Sequence, residues 1–162
     1  LKLATVNYLE PTEIGLEWHE RRMERAVKPC ESMRFKKSSR EYVVVSVGGS
    51  LIVPDGIDVP FLSTLRELVL NKTRAGLSFF IIAGGGRLAR RYQEAAHEVR
   101  GDLDREDLDW MGIHSTRLNA HLLRTIFHED AQARIVKNPT RRLSTKSSVV
   151  IGAGWKPGWS TD

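Results

Sequence analysis

From residue 42 onward the chain alternates between short, continuously apolar runs and longer stretches whose apolar positions recur every three or four residues. Residues 42–47 are a β-branched run closed by Gly48 and Gly49, the pattern of a strand buried on both faces. Asp58 stands where a helix N-cap belongs, ahead of a stretch in which Phe61, Leu65, Leu68 and Val69 make an apolar face. Gly76 stops that helix. Residues 77–83 then read as a second buried strand, followed by Gly84, Gly85 and Gly86 and a helix over 87–99. The acid-rich stretch 101–109 reads as a connection to a helix over 113–127. Residues 133–136 predict a short third strand, 138–148 a loop, and 149–151 a fourth strand feeding Gly152, Ala153 and Gly154. Strands alternating with helices predict an α/β fold with a mainly parallel sheet and helices on both faces. Ligands of such sheets sit beyond the carboxyl ends of the strands, and three of the four expected strands end there in glycine.

Before residue 42 the pattern is thinner. Residues 13–27 fit a charged helix with Ile14, Leu16, Met23 and Val27 as its sparse apolar content, and 28–40 have the proline, serine and basic content of a linker. Residues 1–41 are therefore expected to be an amino-terminal extension or linker of unassigned role, ahead of a domain at 42–162. Met33 is an alternative start for the globular unit. The chain begins at Leu1 and ends at Asp162 directly after a glycine-rich segment, so a piece of something longer is expected.

Composition narrows the function classes. The 162 residues are 41% hydrophobic and 28% charged, as in an ordinary globular domain. The apolar runs are too short to span a bilayer, no leader pattern opens the chain, and the single cysteine, Cys30, rules out an internal disulfide framework. A cytoplasmic protein without membrane contact is expected. The net charge of +5 favours anionic partners. Its clusters at 34–40 and 134–146 lack the interleaved aromatics of a single-strand platform, so they read as solvated basic faces, and nucleic acid is not the expected partner. His114, His121 and His128 recur along one helix, but no carboxylate or cysteine set accompanies them, and no metal site is expected there.

The glycines carry the chemistry. Glycine reaches positive φ without steric cost and leaves no Cβ in the way, so consecutive glycines at a strand end can turn their N–H groups onto an anion. A helix starting directly afterwards adds its own free N–H groups and dipole. Gly84, Gly85 and Gly86 meet both conditions; a tight strand-to-helix turn without ligand is the alternative. Gly48, Gly49 and Ser50 form a second such loop, and Gly152 to Gly154, continuing to Pro157 and Gly158, a third. Neither a Walker Gly-Lys-Ser/Thr nor a spaced dinucleotide motif occurs. Arg90, one helical turn after Gly86, is placed to return toward that loop with a guanidinium suited to phosphate oxygens. Arg87 and Arg91 project elsewhere and read as solvated. Asp109 reads equally as a ligand for ribose hydroxyls and as a helix cap. For Arg117 and Asn119 an exposed or interface role is the default.

Four stretches stand in order: Val45-Ser46-Val47-Gly48-Gly49-Ser50-Leu51-Ile52-Val53-Pro54; Ala83-Gly84-Gly85-Gly86-Arg87-Leu88-Ala89-Arg90-Arg91-Tyr92; Met111-Gly112-Ile113 with Thr116-Arg117-Leu118-Asn119-Ala120; and Pro157-Gly158-Trp159-Ser160-Thr161-Asp162. Together they resemble the uridylate kinases of the amino-acid-kinase family, particularly the archaeal type. The resemblance runs from Tyr42 to the end. It implies a three-layer α/β/α sandwich whose carboxy-terminal part is missing here, and transfer of the ATP γ-phosphoryl group to UMP with Mg²⁺, giving UDP for pyrimidine nucleotide synthesis. It places Gly48, Gly49, Ser50, Gly86 and Arg90 toward the transferring phosphoryl group and ATP. Gly85, Asp109, Trp155, Lys156, Pro157, Gly158, Trp159, Ser160 and Thr161 are placed around UMP. It also implies a homo-oligomer, a hexamer in relatives. The chain departs from the family at Trp155, where a small hydroxyl residue is usual, and in a short, basic connection over 137–148. The family's second half, with the adenine pocket, is absent, so this piece is expected to bind a monophosphate without turning over. Two alternatives remain: the same fold with another acceptor, or a non-catalytic oxyanion-binding or storage protein.

Overall fold

A computed structural model describes residues 42–159, together with two strands at Lys2–Val6 and Lys28–Pro29. The expected helix over 13–27, and Ser160 and Thr161, lie outside the described residues. In chain order the strands are β1 (Lys2–Val6), β2 (Lys28–Pro29), β3 (Tyr42–Val47), β4 (Ser78–Ala83) and β5 (Val149–Gly152). The helices are α1 (Gly49–Ile52), α2 (Val59–Arg74), α3 (Gly86–Arg100) and α4 (Arg105–Phe127), with a short 3₁₀ turn at His128–Asp130.

The sheet runs β2-β1-β3-β4-β5. Strands β1, β3, β4 and β5 are parallel, and only β2 pairs antiparallel, at the edge against β1. No local pattern signals β1: the register from Lys2↔Val43 to Val6↔Val47 makes residues 2–6 part of the sheet although they precede the linker-like stretch. Residues 133–136, expected as a strand, contribute a single isolated bridge, Val136↔Gly152, which with Ala131↔Val149 extends the sheet loosely beyond β5.

Each helix boundary has a local cause. Asp58 Oδ1 accepts from Phe61 N at 2.9 Å, as an N-cap should, and Pro60 occupies the first turn, where its missing N–H costs nothing. At the other end Gly76 takes φ +95°, Gly76 N–H donates to Thr73 O and Leu77 N–H to Lys72 O, the paired bonds of a Schellman stop. Helix α4 starts at Arg105, eight residues ahead of the expected 113: Asp104 caps it, with Oδ1 accepting from Asp107 N at 2.8 Å. Glu106 and Asp107 then complement the helix dipole, so the acid-rich stretch is a helix start rather than a connection. Asp109 is consequently inside the helix, and its capping alternative falls away.

Parallel strands bury both faces, and side chains alternate between them. Val45 and Val47 of β3, Phe79 and Ile81 of β4, and Val149 and Ile151 of β5 share one face. They form a single core with Leu62, Val69 and Leu70 of α2, Leu51 and Ile52 of α1, and Ala120, Leu123 and Phe127 of α4. Burying a side chain the size of Phe127 contributes about 1.5–3 kcal/mol, so this layer holds α2 and α4 firmly on the sheet. Val44 and Val150, pointing to the opposite face, are buried as well. The parallel α/β sheet with helices is the architecture the sequence predicts.

Candidate functional site

The register of β3, β4 and β5 brings their carboxyl ends to one edge: Val47 lies opposite Ala83, and Ile82 opposite Gly152. The three glycine segments therefore sit side by side. The first two are in direct backbone contact. A Cβ on Gly49 would collide with the backbone of Gly84, Gly85 and Gly86, and a Cβ on Gly86 with the backbone of Gly49 and Ser50. Gly86 also takes φ +63°, a left-handed conformation that favours glycine. Gly84 N–H donates to Val47 O at 2.9 Å, and Asn119 Nδ2, buried on α4, donates to Gly84 O at 2.8 Å. Of the exposed or interface role expected for Asn119, exposure is excluded: it is buried between α4 and the glycine loop, which it supports.

Gly48 is the exception. Its φ of −56° and ψ of 133° suit any residue, and a Cβ there would meet nothing within 4 Å. Packing explains why Gly49 and Gly86 are glycines, but it does not explain Gly48, which borders open space at the strand end.

The sequence did not suggest that Gly49 opens a one-turn helix, because Gly-Gly-Ser reads as loop. Ser50, in that turn, joins the two glycine segments: its Oγ accepts from Arg87 N–H at 3.1 Å and lies 3.4 Å from Arg90 NH2. Arg90 does return toward the loop. Arg87 and Arg91 are solvated as expected, and each also pairs with Asp55, at 3.0 and 2.9 Å. All three groups are largely exposed, so the triad is worth little to stability, but it takes up two of the three cations near the loop.

The third segment is tied to α4. Gly154 N–H donates to Thr116 Oγ1 at 2.8 Å, and a Cβ on Gly154 would sit 2.9 Å from that oxygen. Arg117 donates to Gly154 O at 3.2 Å and to Trp155 O at 2.6 Å. Asp109 Oδ2 accepts from Gly158 N–H at 3.1 Å, leaving further acceptor capacity on the carboxylate. Gly85 packs from the other side, where a Cβ would stand 3.2 Å from Gly112 O. Trp155 and Trp159 meet edge to face with Lys156 over them, and Pro157 makes the turn between. Helix α4 therefore touches both the second and third glycine segments. Thr116 went unnoticed in the sequence, and only its position in the quoted Thr116-Arg117 motif could have pointed to it.

Residues 41–153 of this sheet and its glycine loops match the amino acid kinase family. The chain belongs to that family. Among relatives, it is 37% identical over 122 residues to the uridylate kinase of Methanocorpusculum labreanum, covering 74% of this chain and 51% of that protein. It is 34% identical over 124 residues to the uridylate kinase of Thermococcus kodakarensis, covering 74% and 53%. The crystal structure of uridylate kinase from Archaeoglobus fulgidus superposes with a TM-score of 0.57 at 30% identity, over 73% of this chain and 52% of that one. The chain spans about half the length of the curated relatives it matches. No helix among the described residues is long and apolar enough to cross a membrane.

Among the described residues no group of three or more His, Cys, Asp or Glu side chains could hold an ion, and Asp55, beside the loops, is already bound by two arginines. The chemistry these residues can supply is anion binding through N–H groups and guanidinium, with Arg90 the cation closest to the Ser50 hydroxyl.

Proposed function

We propose that this amino acid kinase domain is the acceptor-binding part of a cytoplasmic uridylate kinase, which transfers the ATP γ-phosphoryl group to UMP and gives UDP. The observation that carries the reading is the joined pair of strand-end glycine loops with open space at Gly48. Packing does not require glycine at Gly48, whereas a phosphoryl group approaching the backbone would. In this reading Gly48, Gly49 and Ser50 line the path of the transferring group, with Gly86 and Arg90 toward ATP. Gly85 and Asp109 hold UMP, and Trp155, Lys156, Pro157, Gly158 and Trp159, continuing to Ser160 and Thr161, wrap its base and phosphate. In-line phosphoryl transfer asks for positioning and charge neutralisation more than for a covalent nucleophile, and a rigid cradle with a cation beside it is of that kind. Mg²⁺, when bound with the nucleotide, would supply charge neutralisation at the phosphates. Assembly into a homo-oligomer is part of the same proposal.

Calorimetric titration tests it. UMP is expected to bind the 162-residue chain, with Asp109→Ala weakening UMP at least tenfold and Arg90→Ala acting on ATP instead. A folded chain that binds neither nucleotide refutes the reading.

A further inference from the structure

Three residues of α4 hold the segment after β5, and Arg117 is the one that reaches two consecutive peptide groups. Its Nε donates to Gly154 O at 3.2 Å and its Nη2 to Trp155 O at 2.6 Å. The donors of a guanidinium lie in one rigid plane, so this fork fixes two carbonyls together; the ammonium of a lysine is a point charge and does not. The guanidinium is itself held. It is half-buried and lies 5.7 Å from the centroid of the Trp110 ring, whose Nε1 donates to Glu106 Oε1 at 3.3 Å. Thr116 and Asp109 accept from Gly154 N–H and Gly158 N–H, pinning the segment on either side of the fork.

In a trans peptide the C=O and the N–H point in opposite directions, and the described residues include no cis peptide. Along an extended strand successive carbonyls alternate from side to side. Here the Gly154 and Trp155 carbonyls both turn to Arg117, so the N–H groups of Trp155 and Lys156 turn together to the side away from it. Two neighbouring N–H groups facing one way make a small concavity suited to an oxygen atom that carries negative charge. We infer that Arg117 is a positioning residue for the acceptor nucleotide, presetting the backbone donors of Trp155 and Lys156 against its phosphate or carbonyl oxygens. This rests on the reading above that the segment faces the acceptor. Arg117 acts through the backbone it orients, and the geometry of its fork matters more than its charge.

The test compares Arg117→Ala and Arg117→Lys with the 162-residue chain, each first shown by urea unfolding to be folded. Calorimetric titration with UMP and with ribose 5-phosphate gives one readout. The other is the circular-dichroism exciton couplet of Trp155 and Trp159, whose ring centroids are 5.0 Å apart at 64°. That couplet, assigned by its disappearance in Trp159→Phe, reports the geometry of the segment with no ligand present. Both Arg117 variants are expected to weaken the couplet and to lower UMP affinity about tenfold, as when the held geometry falls to about a tenth of the population. Should Arg117→Ala fail to fold, Arg117→Lys carries both readouts. A loss shared by ribose 5-phosphate assigns the donor pair to the phosphate, and a loss confined to UMP assigns it to the uracil carbonyls. Wild-type UMP affinity in Arg117→Lys overturns the inference, because charge alone then suffices, and so does an unchanged couplet in either variant; both leave the acceptor site standing. A folded parent chain that does not bind UMP overturns the acceptor reading and this inference with it.

Discussion

Two neighbouring glycines at the end of β3 should respond to the same substitution with opposite signs. In Gly49→Ala the new methyl would face three backbone atoms, with Gly84 O and Gly86 N each 2.5 Å away and Gly85 C closer still. Ordinary contact begins near 3.4 Å, so the two loops would have to part by roughly an ångström. None of the three atoms belongs to a side chain that could rotate aside. Overpacking a well-filled site costs about 1–3 kcal/mol, and three backbone collisions put this one near ~3 kcal/mol. For a domain of this size that lowers Tm by on the order of 10 °C. In Gly48→Ala the methyl meets nothing within 4 Å and the backbone is already in an ordinary extended conformation. Only the restricted unfolded chain matters there, which favours the variant by about 0.4–1 kcal/mol. Urea unfolding followed by tryptophan fluorescence reads both, as shifts in midpoint at constant slope. Gly48→Ala should nonetheless lose nucleotide affinity, because its methyl points into the space a phosphoryl group would use. Equal destabilisation by the two variants would refute the packing argument. A fully stable Gly48→Ala with unaltered nucleotide binding would remove the functional one.

Asn119→Ala should destabilise the fold by about 1–3 kcal/mol, since it leaves the Gly84 carbonyl without its buried donor; Asn119→Asp should not rescue it, because a carboxylate cannot donate, and chemical denaturation measures both. Asp58→Ala removes the cap of α2 and should cost about 1 kcal/mol, with Asp58→Ser recovering most of it in the same assay. Ser78 is fully buried at the start of β4, and its hydroxyl has no hydrogen-bond partner among the described residues. Ser78→Ala should therefore raise stability by about 1 kcal/mol, and a lowered urea midpoint would show that the hydroxyl is satisfied after all.

The parts of this fold that were legible in the sequence are those whose signals are local. Continuous apolar runs marked β3, β4 and β5, and Asp58 and Gly76 marked the ends of α2, because a cap or a left-handed stop is set by residues a few positions apart. The start of α4 was missed for a related reason: Glu106, Asp107 and Asp109 are sparse in apolar content, and periodicity alone cannot separate a charged first turn from a loop. Strand β1 was invisible because its partner is β3, some forty residues away, and pairing of that range leaves no local trace. At the site, the glycine runs were plain, but their division of labour was not. That Gly49 and Gly86 serve packing while Gly48 faces open space depends on two loops from different strands meeting. Likewise Asn119, Thr116 and Arg117 look like ordinary helix residues until α4 is laid beneath the loops whose backbone they hold.

Gly49 and Gly86 meet backbone to backbone, so neither loop can close inward onto the other. That contact also couples their histories: a larger residue at Gly49 or Gly86, unlike one at Gly48, is tolerable only with a matching change in the facing loop.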